Sequence, residues 1–173
     1  DSYGSRGLGD VYKRQKRSHR YYISKRFPEI EQTVVNIKSQ EPTLLVSFLD
    51  RFLHQYKEDL INHFKIEEKI LFPYALKLYN YYHFEDERNK QFLVDNMYLV
   101  KNFLDDHKED KSELKKLEES ISKYKTRKLR HLSYFEILLE QLKNFHIDLK
   151  IHSQIEDNVL DKKINTILKN VNL

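Results

Sequence analysis

The sequence predicts an all-α protein, an antiparallel up-down four-helix bundle, on three observations. The 173 residues contain only three glycines, all before residue 10, which disfavours folds that need many tight turns or a glycine-rich phosphate-binding loop. Helix breakers divide residues 16–173 into four long stretches. In each stretch apolar residues recur at spacings of three and four, as on one face of a helix. One apolar stripe per helix with short connections is typical of such a bundle.

The first fifteen residues, DSYGSRGLGDVYKRQ, are predicted to lie outside this fold. Residues 5–15 resemble the translation of a sequencing adaptor rather than a gene product. Such a segment is excluded from fold reasoning. We therefore expect the domain to occupy 16–173, with its natural N-terminus and any upstream domain not observed.

Helix one is predicted to begin near His19 and to contain Pro28, which should kink it or start a new turn. The first connection is SQEPT at 39–43, where Pro42 prevents continuation and Thr43 can cap the next helix. Helix two then extends to a polar stretch at 80–88, helix three to a basic segment at 123–128, and helix four to the C-terminal region. The apolar stripes are Tyr22, Ile23, Ile30, Val34 and Ile37 on helix one; Leu45, Phe48, Leu49, Phe52, Tyr56, Leu60, Ile66, Ile70 and Tyr74 on helix two; Leu93, Val100, Phe103, Leu104, Leu114, Leu117 and Ile121 on helix three; and Tyr134, Leu138, Phe145, Leu149, Ile155 and Val159 on helix four.

Composition excludes several functional classes. The absence of cysteine rules out disulfides, thiolate metal sites and a cysteine nucleophile in this chain, and is consistent with a reducing compartment such as the cytoplasm. The apolar runs are far shorter than the roughly 20 residues of a membrane helix, so no membrane partner is predicted. The net charge of +4 falls to +3 without the first fifteen residues, and the remaining basic residues alternate with acidic ones. That pattern is typical of a solvated helix face, and no nucleic-acid partner is predicted.

Polar residues interrupt two of the apolar stripes in the same way. His63 and Glu67 are four residues apart and so lie about 40° apart on one helix face. His152 and Glu156 repeat this arrangement, and the segments DLINHFKIEEKIL and DLKIHSQIEDNVL share six identities in thirteen positions. An imidazole and a carboxylate buried without a partner would cost several kcal/mol, so these groups need a partner.

Two further histidines, His19 and His107, fall on the stripes of helices one and three. The four stripe histidines are separated by 44, 44 and 45 residues, and the midpoints of successive pairs fall in or near the predicted connections. In an up-down bundle they would lie near one level. A single zinc needs fewer ligands than these six groups, and the Glu-x-x-His pairs of ferritin-like proteins are absent. Mixed imidazole and carboxylate ligation suits iron or manganese. Two irons would use all six predicted ligands: His19, His63, Glu67, His107, His152 and Glu156.

Other polar residues have weaker assignments. Asp59 and Asp148, one turn before His63 and His152, are candidate acceptors for an imidazole N–H, although each could equally be a surface charge. A lone core histidine is more often hydrogen-bonded than metal-bound, so it is the repeat that distinguishes these motifs. The remaining histidines are not predicted as ligands because of their helix phase or their place near a turn or bundle end: His54, His83, His131 and His146.

The motif HFKIEEKILFPY resembles the H-x3-E-E-x-x-L-F-P signature of hemerythrin-like domains, and HSQIEDNVL resembles its second half. The order of motifs is similar to that of the iron–sulfur cluster repair di-iron proteins, also called regulators of cell morphogenesis and nitric oxide signalling. The resemblance covers nearly all of 16–173 and implies the same six ligands. Lys111 follows His107 by four residues, where oxygen-carrying hemerythrins have a histidine, so a dedicated oxygen carrier is disfavoured. Two departures are the sequence NVLDKK after the second motif and the lack of the cysteine-containing N-terminal domain common in that family.

The resemblance implies a cytoplasmic non-haem di-iron protein that repairs iron–sulfur clusters under nitrosative and oxidative stress, rather than a classical enzyme. The expected cofactor is two iron ions, and the expected partners are nitric oxide or dioxygen and iron–sulfur proteins. Two alternatives remain open at this point. One is a hemerythrin domain that senses or carries dioxygen or nitric oxide, and the other is a metal-free helical interaction module.

Overall fold

The computed structural model describes residues 2–40, 43–106, 113–125 and 132–170. These residues are helical almost throughout, with no strand among them, which confirms the all-α prediction. The four-helix bundle arrangement stays a prediction. The α-helices are α1 Ser2–Tyr21, α2 Phe27–Gln40, α3 Leu44–Ile66, α4 Phe72–Phe84, α5 Lys90–Asp106, α6 Glu113–Lys125, α7 Leu132–Ile155 and α8 Lys162–Leu168.

Three pairs of these helices are joined without a break by π-helical turns, in which a backbone N–H bonds the carbonyl five residues earlier. The segments are Tyr22–Arg26 between α1 and α2, Glu67–Leu71 between α3 and α4, and Glu156–Asp161 between α7 and α8. At the second of them the Phe72 N–H donates to the Glu67 carbonyl. Each such turn inserts an extra residue and so shifts the helix face that follows.

Two of the three π-helical segments are followed by a proline. Pro28 and Pro73 lie two residues after Tyr22–Arg26 and Glu67–Leu71. A proline has no N–H to donate, and its ring opposes the carbonyl four residues earlier. That carbonyl lies inside the π-helical segment in both cases, where the wider turn relieves the conflict. The change of turn expected at Pro28 is therefore a π-helical segment beginning at Tyr22.

The helix cap predicted at the first connection agrees with the structure, whereas the start of the second connection was predicted too early. Thr43 caps α3 as expected, since its Oγ1 accepts a hydrogen bond from the Val46 N–H at 3.4 Å. The second connection begins later than predicted, because α4 continues to Phe84 and ends at Glu85 in the left-handed conformation, with φ 52°. Glycine usually takes that position. The third predicted connection, 123–128, lies mostly outside the described residues.

The described residues form two structural units. The first contains 2–18, 63–106 and 151–170, and the second 19–40, 43–62, 113–125 and 132–150. The core of the first unit consists of Leu8, Leu71, Phe72, Tyr74, Ala75, Leu78, Tyr79, Leu93, Val100, Leu104, Leu160, Ile164 and Ile167. In the second unit the Phe27 and Phe145 rings meet edge to face at 5.1 Å, and both side chains are fully buried.

The N-terminal segment differs from the expectation that 1–15 lie outside the fold. α1 is continuous from Ser2, and Leu8 is 3% exposed within the core of the first unit. Tyr12 packs edge to face on Phe72 at 4.8 Å between ring centroids, and its hydroxyl donates to the Glu68 carbonyl at 3.1 Å. An amphipathic pattern is enough to extend the helix, whatever the origin of the segment.

Candidate metal centre

The two H-x3-E motifs have the same local structure. His63 lies in the last turn of α3 and Glu67 is the first residue of the π-helical segment that follows. His152 lies in the last turn of α7 and Glu156 is the first residue of its own π-helical segment. The sequence repeat is therefore also a structural repeat, with each glutamate at an α-to-π junction. Such junctions occur often at functional sites.

Within each motif the imidazole faces the carboxylate. The Nε2 atom of His63 lies 2.7 Å from Oε1 of Glu67, and the same atoms of His152 and Glu156 are 3.1 Å apart. Both glutamates are buried, at 0% and 1% exposure. The helical spacing predicted from the sequence thus produces the expected contact in both motifs.

Glu67, His152 and Glu156 also converge with one another. One ligand atom from each lies within 4.8 Å of the others, and all three residues are buried. These residues form a buried His/Glu group that could hold a metal ion. His63 lies at the edge of this group, with a side chain 33% exposed.

Gln15 contributes to the same group and was missed by the sequence analysis. It is 1% exposed, and its Nε2 donates to Glu156 Oε1 at 2.9 Å and to the His152 carbonyl at 3.2 Å. The signal that could have found it is its spacing, since it precedes His19 by four residues on α1. The sequence does not predict this role, because residues 1–15 are expected to lie outside the fold.

The other two predicted ligands have different outcomes. His19 is buried at 3% exposure near the end of α1, on the same helix face as Gln15. His107 lies outside the described residues, so its place in the ligand set stays a prediction.

Aromatic rings flank the two imidazoles. The Phe103 ring of α5 lies over His63, with centroids 5.0 Å apart and planes inclined by 32°. Phe64 meets His152 edge to face at 5.7 Å. These rings limit how the imidazoles can rotate, which favours a preformed arrangement of ligand atoms.

The adjacent glutamates of the first motif face different surroundings. Glu67 is buried, whereas the Glu68 carboxylate pairs with Lys16 at 3.6 Å near the surface. Hydrogen bonding to the Tyr12 side chain raises the pKa of Lys16, and the Glu68 charge adds to this effect. The structure therefore identifies Glu67 as the inward member of the pair, as the H-x3-E spacing predicted.

Asp59 and Asp148 have partners other than the predicted imidazoles. Asp59 is exposed and accepts a hydrogen bond from Gln55 at 3.0 Å, while Asp148 pairs with Arg26 at 2.9 Å. The role of these two carboxylates as acceptors for an imidazole N–H stays a prediction.

None of the described histidines that were not predicted as ligands is a member of this group. His54 is exposed on α3, and His146 is half-buried on α7. His83 is exposed and stacks on Tyr79, with ring centroids 4.2 Å apart. His131 lies outside the described residues.

Comparisons with protein-family models, with curated proteins and with solved structures found no match to this chain. Among the described residues, no helix has both the length and the apolar character needed to cross a membrane.

Proposed function

We propose that this chain is a cytoplasmic non-haem di-iron protein with a hemerythrin-like four-helix bundle, which takes part in repairing iron–sulfur clusters damaged by nitrosative or oxidative stress. Its ligands are His19, His63, Glu67, His107, His152 and Glu156. The repair role rests on the sequence resemblance, and the metal-binding role rests on the buried His/Glu group.

The observation that carries the metal-binding role is the convergence of Glu67, His152 and Glu156 within 4.8 Å in a buried position. A carboxylate transferred from water into an apolar interior is strongly destabilised unless positive charge or a proton compensates it. The partner of each carboxylate within its own motif is a histidine, which is neutral unless protonated. A divalent cation supplies the compensating charge and uses oxygen and nitrogen ligands of this kind.

The distances within each motif fit shared coordination. Two ligand atoms bound at right angles to one ion, each at about 2.0–2.2 Å, lie about 3 Å apart. The imidazole–carboxylate separations of 2.7 and 3.1 Å bracket that value. Each motif can therefore offer one nitrogen and one oxygen to the same ion without rearrangement of the helix.

The protein's own residues orient and shield these ligands. Gln15 donates to Glu156 Oε1, which holds the carboxylate plane in place. Phe64 and Phe103 restrict the two imidazoles. When bound, a pair of iron ions would supply Lewis acidity and one-electron chemistry toward small ligands such as nitric oxide.

A second candidate is a sensor of nitric oxide or dioxygen. The exposure of one third of the His63 side chain favours it, because small ligands could approach from that side. A signalling domain adjoining this chain in the complete gene would support the sensor over the repair role.

The decisive measurement is the metal content of the purified chain after anaerobic iron loading, combined with an absorption spectrum. The proposal expects about two irons per chain, held together by the six predicted ligands. A content below about half an iron per chain would defeat the di-iron proposal.

A matched pair of variants controls for non-specific iron. Glu67→Gln keeps the volume of the side chain but removes its charge in the buried group, and should lose most of the iron. Glu68→Gln makes the same change on the adjacent residue, whose carboxylate faces Lys16 near the surface, and should keep it. Equal iron in both variants would show that the metal binds elsewhere.

A further inference from the structure

One corner of the buried His/Glu group is open to solvent. The side chain of His63 is 33% exposed, whereas the side chains of Glu67, His152 and Glu156 are 0%, 5% and 1% exposed. A small molecule that reaches this group from solvent therefore approaches beside His63. We call this corner the His63 opening.

The aromatic side chain at the His63 opening is Phe103 of α5. Its ring lies across the His63 imidazole, with centroids 5.0 Å apart and planes inclined by 32°, and Phe103 is itself half-buried. The corresponding contact of the second motif, between Phe64 and His152, lies in the interior, because both residues are 5% exposed. The aromatic contact at His63 is thus the one that solvent reaches.

The backbone that carries Phe103 is held in place by its neighbours. Helix α5 packs on α4 and on the π-helical segment Glu67–Leu71. Val100 and Leu104 of α5 are 1% and 3% exposed in the core of the first unit. Phe103 can therefore move mainly by rotation about its own side-chain bonds. A smaller side chain at this position should widen the His63 opening without moving α5.

An apolar ring at an opening distinguishes molecules by their hydration. An anion that passes the ring loses contacts with water and gains no hydrogen bond from the phenyl group. A neutral diatomic molecule is weakly hydrated and loses little on the same path. The ring therefore slows anions more than it slows nitric oxide or dioxygen.

We infer that Phe103 determines which small molecules reach the metal centre, because its ring narrows the His63 opening and favours neutral diatomic molecules over anions. This inference rests on the proposed metal-binding function and names the class of ligand that the site admits. It applies to the repair and the sensor candidates alike, since both require such a ligand to reach the metal.

The first test uses the full chain without metal. Diethyl pyrocarbonate modifies accessible imidazoles, and peptide mass spectrometry follows the modification of each histidine with time. In Phe103→Ala the rate at His63 should rise by about threefold or more, whereas the rate at the exposed His54 should match that of the parent. An unchanged rate at His63 overturns the inference.

Phe92→Ala is the matched control for this substitution. It removes the same side chain from another half-buried position of α5, about three turns earlier, where the ring packs under the Lys77 ammonium at 4.8 Å. The rate at His63 should stay at the parent value in this variant. An equal rise in both variants would mean that general loosening of α5 exposes His63, and would overturn the inference.

The second test measures binding to the iron-loaded chain by stopped-flow absorption, with nitric oxide and sodium azide as probes. Phe103→Ala should raise the association rate of azide by about tenfold or more, and that of nitric oxide by less than about threefold. Phe103→Leu keeps an apolar side chain of intermediate size and should give an intermediate azide rate. If circular dichroism shows that Phe103→Ala is unfolded, Phe103→Leu provides the comparison in both tests. Equal acceleration of the two probes, or an unchanged azide rate, overturns the inference.

The two tests separate this inference from the proposed function. A chain that binds no iron defeats the proposed function, and the selection of metal ligands by Phe103 fails with it. A chain that binds iron but shows an unchanged rate of His63 modification in Phe103→Ala defeats the inference alone.

Discussion

The two H-x3-E motifs share one backbone but have different surroundings. Each glutamate begins a π-helical segment and is buried, at 0% for Glu67 and 1% for Glu156. Their histidines differ, since the side chain of His63 is 33% exposed and that of His152 only 5%. A proline follows the first motif and none follows the second. Proline is therefore not the shared cause of the π-helical turn, and the exposure of each imidazole is set by neighbouring elements rather than by the motif.

The largest expected effect of this difference is on metal retention. His152→Ala should reduce the bound iron to less than about half an ion per chain, because it removes one of the ligands that converge in the buried group. His63→Ala should keep about one ion, since solvent can occupy the ligand position that it vacates. Iron content measured by mass spectrometry after gel filtration distinguishes the two variants.

Matched histidine controls lie on the same two helices. His146→Ala on α7 and His54→Ala on α3 remove imidazoles that are not part of the buried group, and both should keep the full iron content. Equal loss of iron from His63→Ala and His152→Ala would mean that the two motifs are equivalent, despite their difference in exposure.

The next effect concerns the leucine that ends each repeat. Leu71 and Leu160 occupy equivalent positions and are 2% and 1% exposed in the same core. Replacement of either by alanine should lower the free energy of unfolding by about 2–5 kcal/mol through lost burial and the cavity left behind. Because both belong to one cluster, we expect the two losses to agree within about 1 kcal/mol.

Chemical denaturation of the metal-free protein measures these values. Leu44→Ala is the control, since Leu44 is 91% exposed, and it should change stability by no more than about 0.5 kcal/mol. A loss at Leu160 much smaller than at Leu71 would show that the second repeat packs loosely after its motif.

The π-helical turns explain part of the difference between the predicted and the observed core. Before the motifs a helical period of 3.6 residues correctly predicted Leu49 and Phe145 as buried, but it also predicted Phe48, which is 50% exposed, and it missed Leu53. Beyond the motifs Tyr74 is buried as predicted, whereas Ile70 and Val159 are half-buried and the residues that follow them, Leu71 and Leu160, are buried. One inserted residue per π-helical turn moves the face by one position, and no residue in either motif signals it.

The candidate site was predictable as far as it depended on local spacing. His63, Glu67, His152 and Glu156 follow from the repeat, and the contact within each pair is confirmed. The contribution of Gln15 depends on which residues approach Glu156 from a distant part of the chain. Spacing along one helix contains no information about that approach.

Gln15 also distinguishes the two motifs, because its amide donates hydrogen bonds to Glu156 and to the His152 carbonyl, which both belong to the second motif. Gln15→Ala should lower the free energy of unfolding of the metal-free protein by about 1–2 kcal/mol, since a buried acceptor loses its donor. Lys13→Ala on the exposed face of α1 should have little effect. Thermal denaturation at pH 7 compares the two variants.

Removal of residues 1–15 extends this comparison. If the segment lies outside the fold, the shortened protein should keep its melting temperature and metal content. If the burial of Leu8 and Gln15 contributes to stability, the melting temperature should fall by more than in Gln15→Ala alone. The second result is expected from the packing of Tyr12 on Phe72.

The smallest effect concerns the residue three positions beyond the leucine that ends each repeat. In the first repeat this is Tyr74, which is fully buried and whose hydroxyl has no hydrogen-bond partner among the described residues. In the second it is Lys163, which is exposed. Because the Tyr74 hydroxyl makes no such bond, Tyr74→Phe should change stability at pH 7 by no more than about 1 kcal/mol.

At high pH the ionisation of this buried tyrosine affects the stability of the protein. Burial raises the pKa of Tyr74 to about 12, above the value near 10 expected in the unfolded chain. The unfolded state therefore loses its proton first, so stability is unaffected below about pH 10 and falls as the pH rises toward 12. The free energy of unfolding of Tyr74→Phe should fall less steeply than that of the parent over that range. Subtracting one pH profile from the other removes the contribution of lysine titration, which is common to both. Tyr98→Phe, at an exposed site, should follow the parent, and a parallel pH profile for Tyr74→Phe would show that the Tyr74 hydroxyl is solvated.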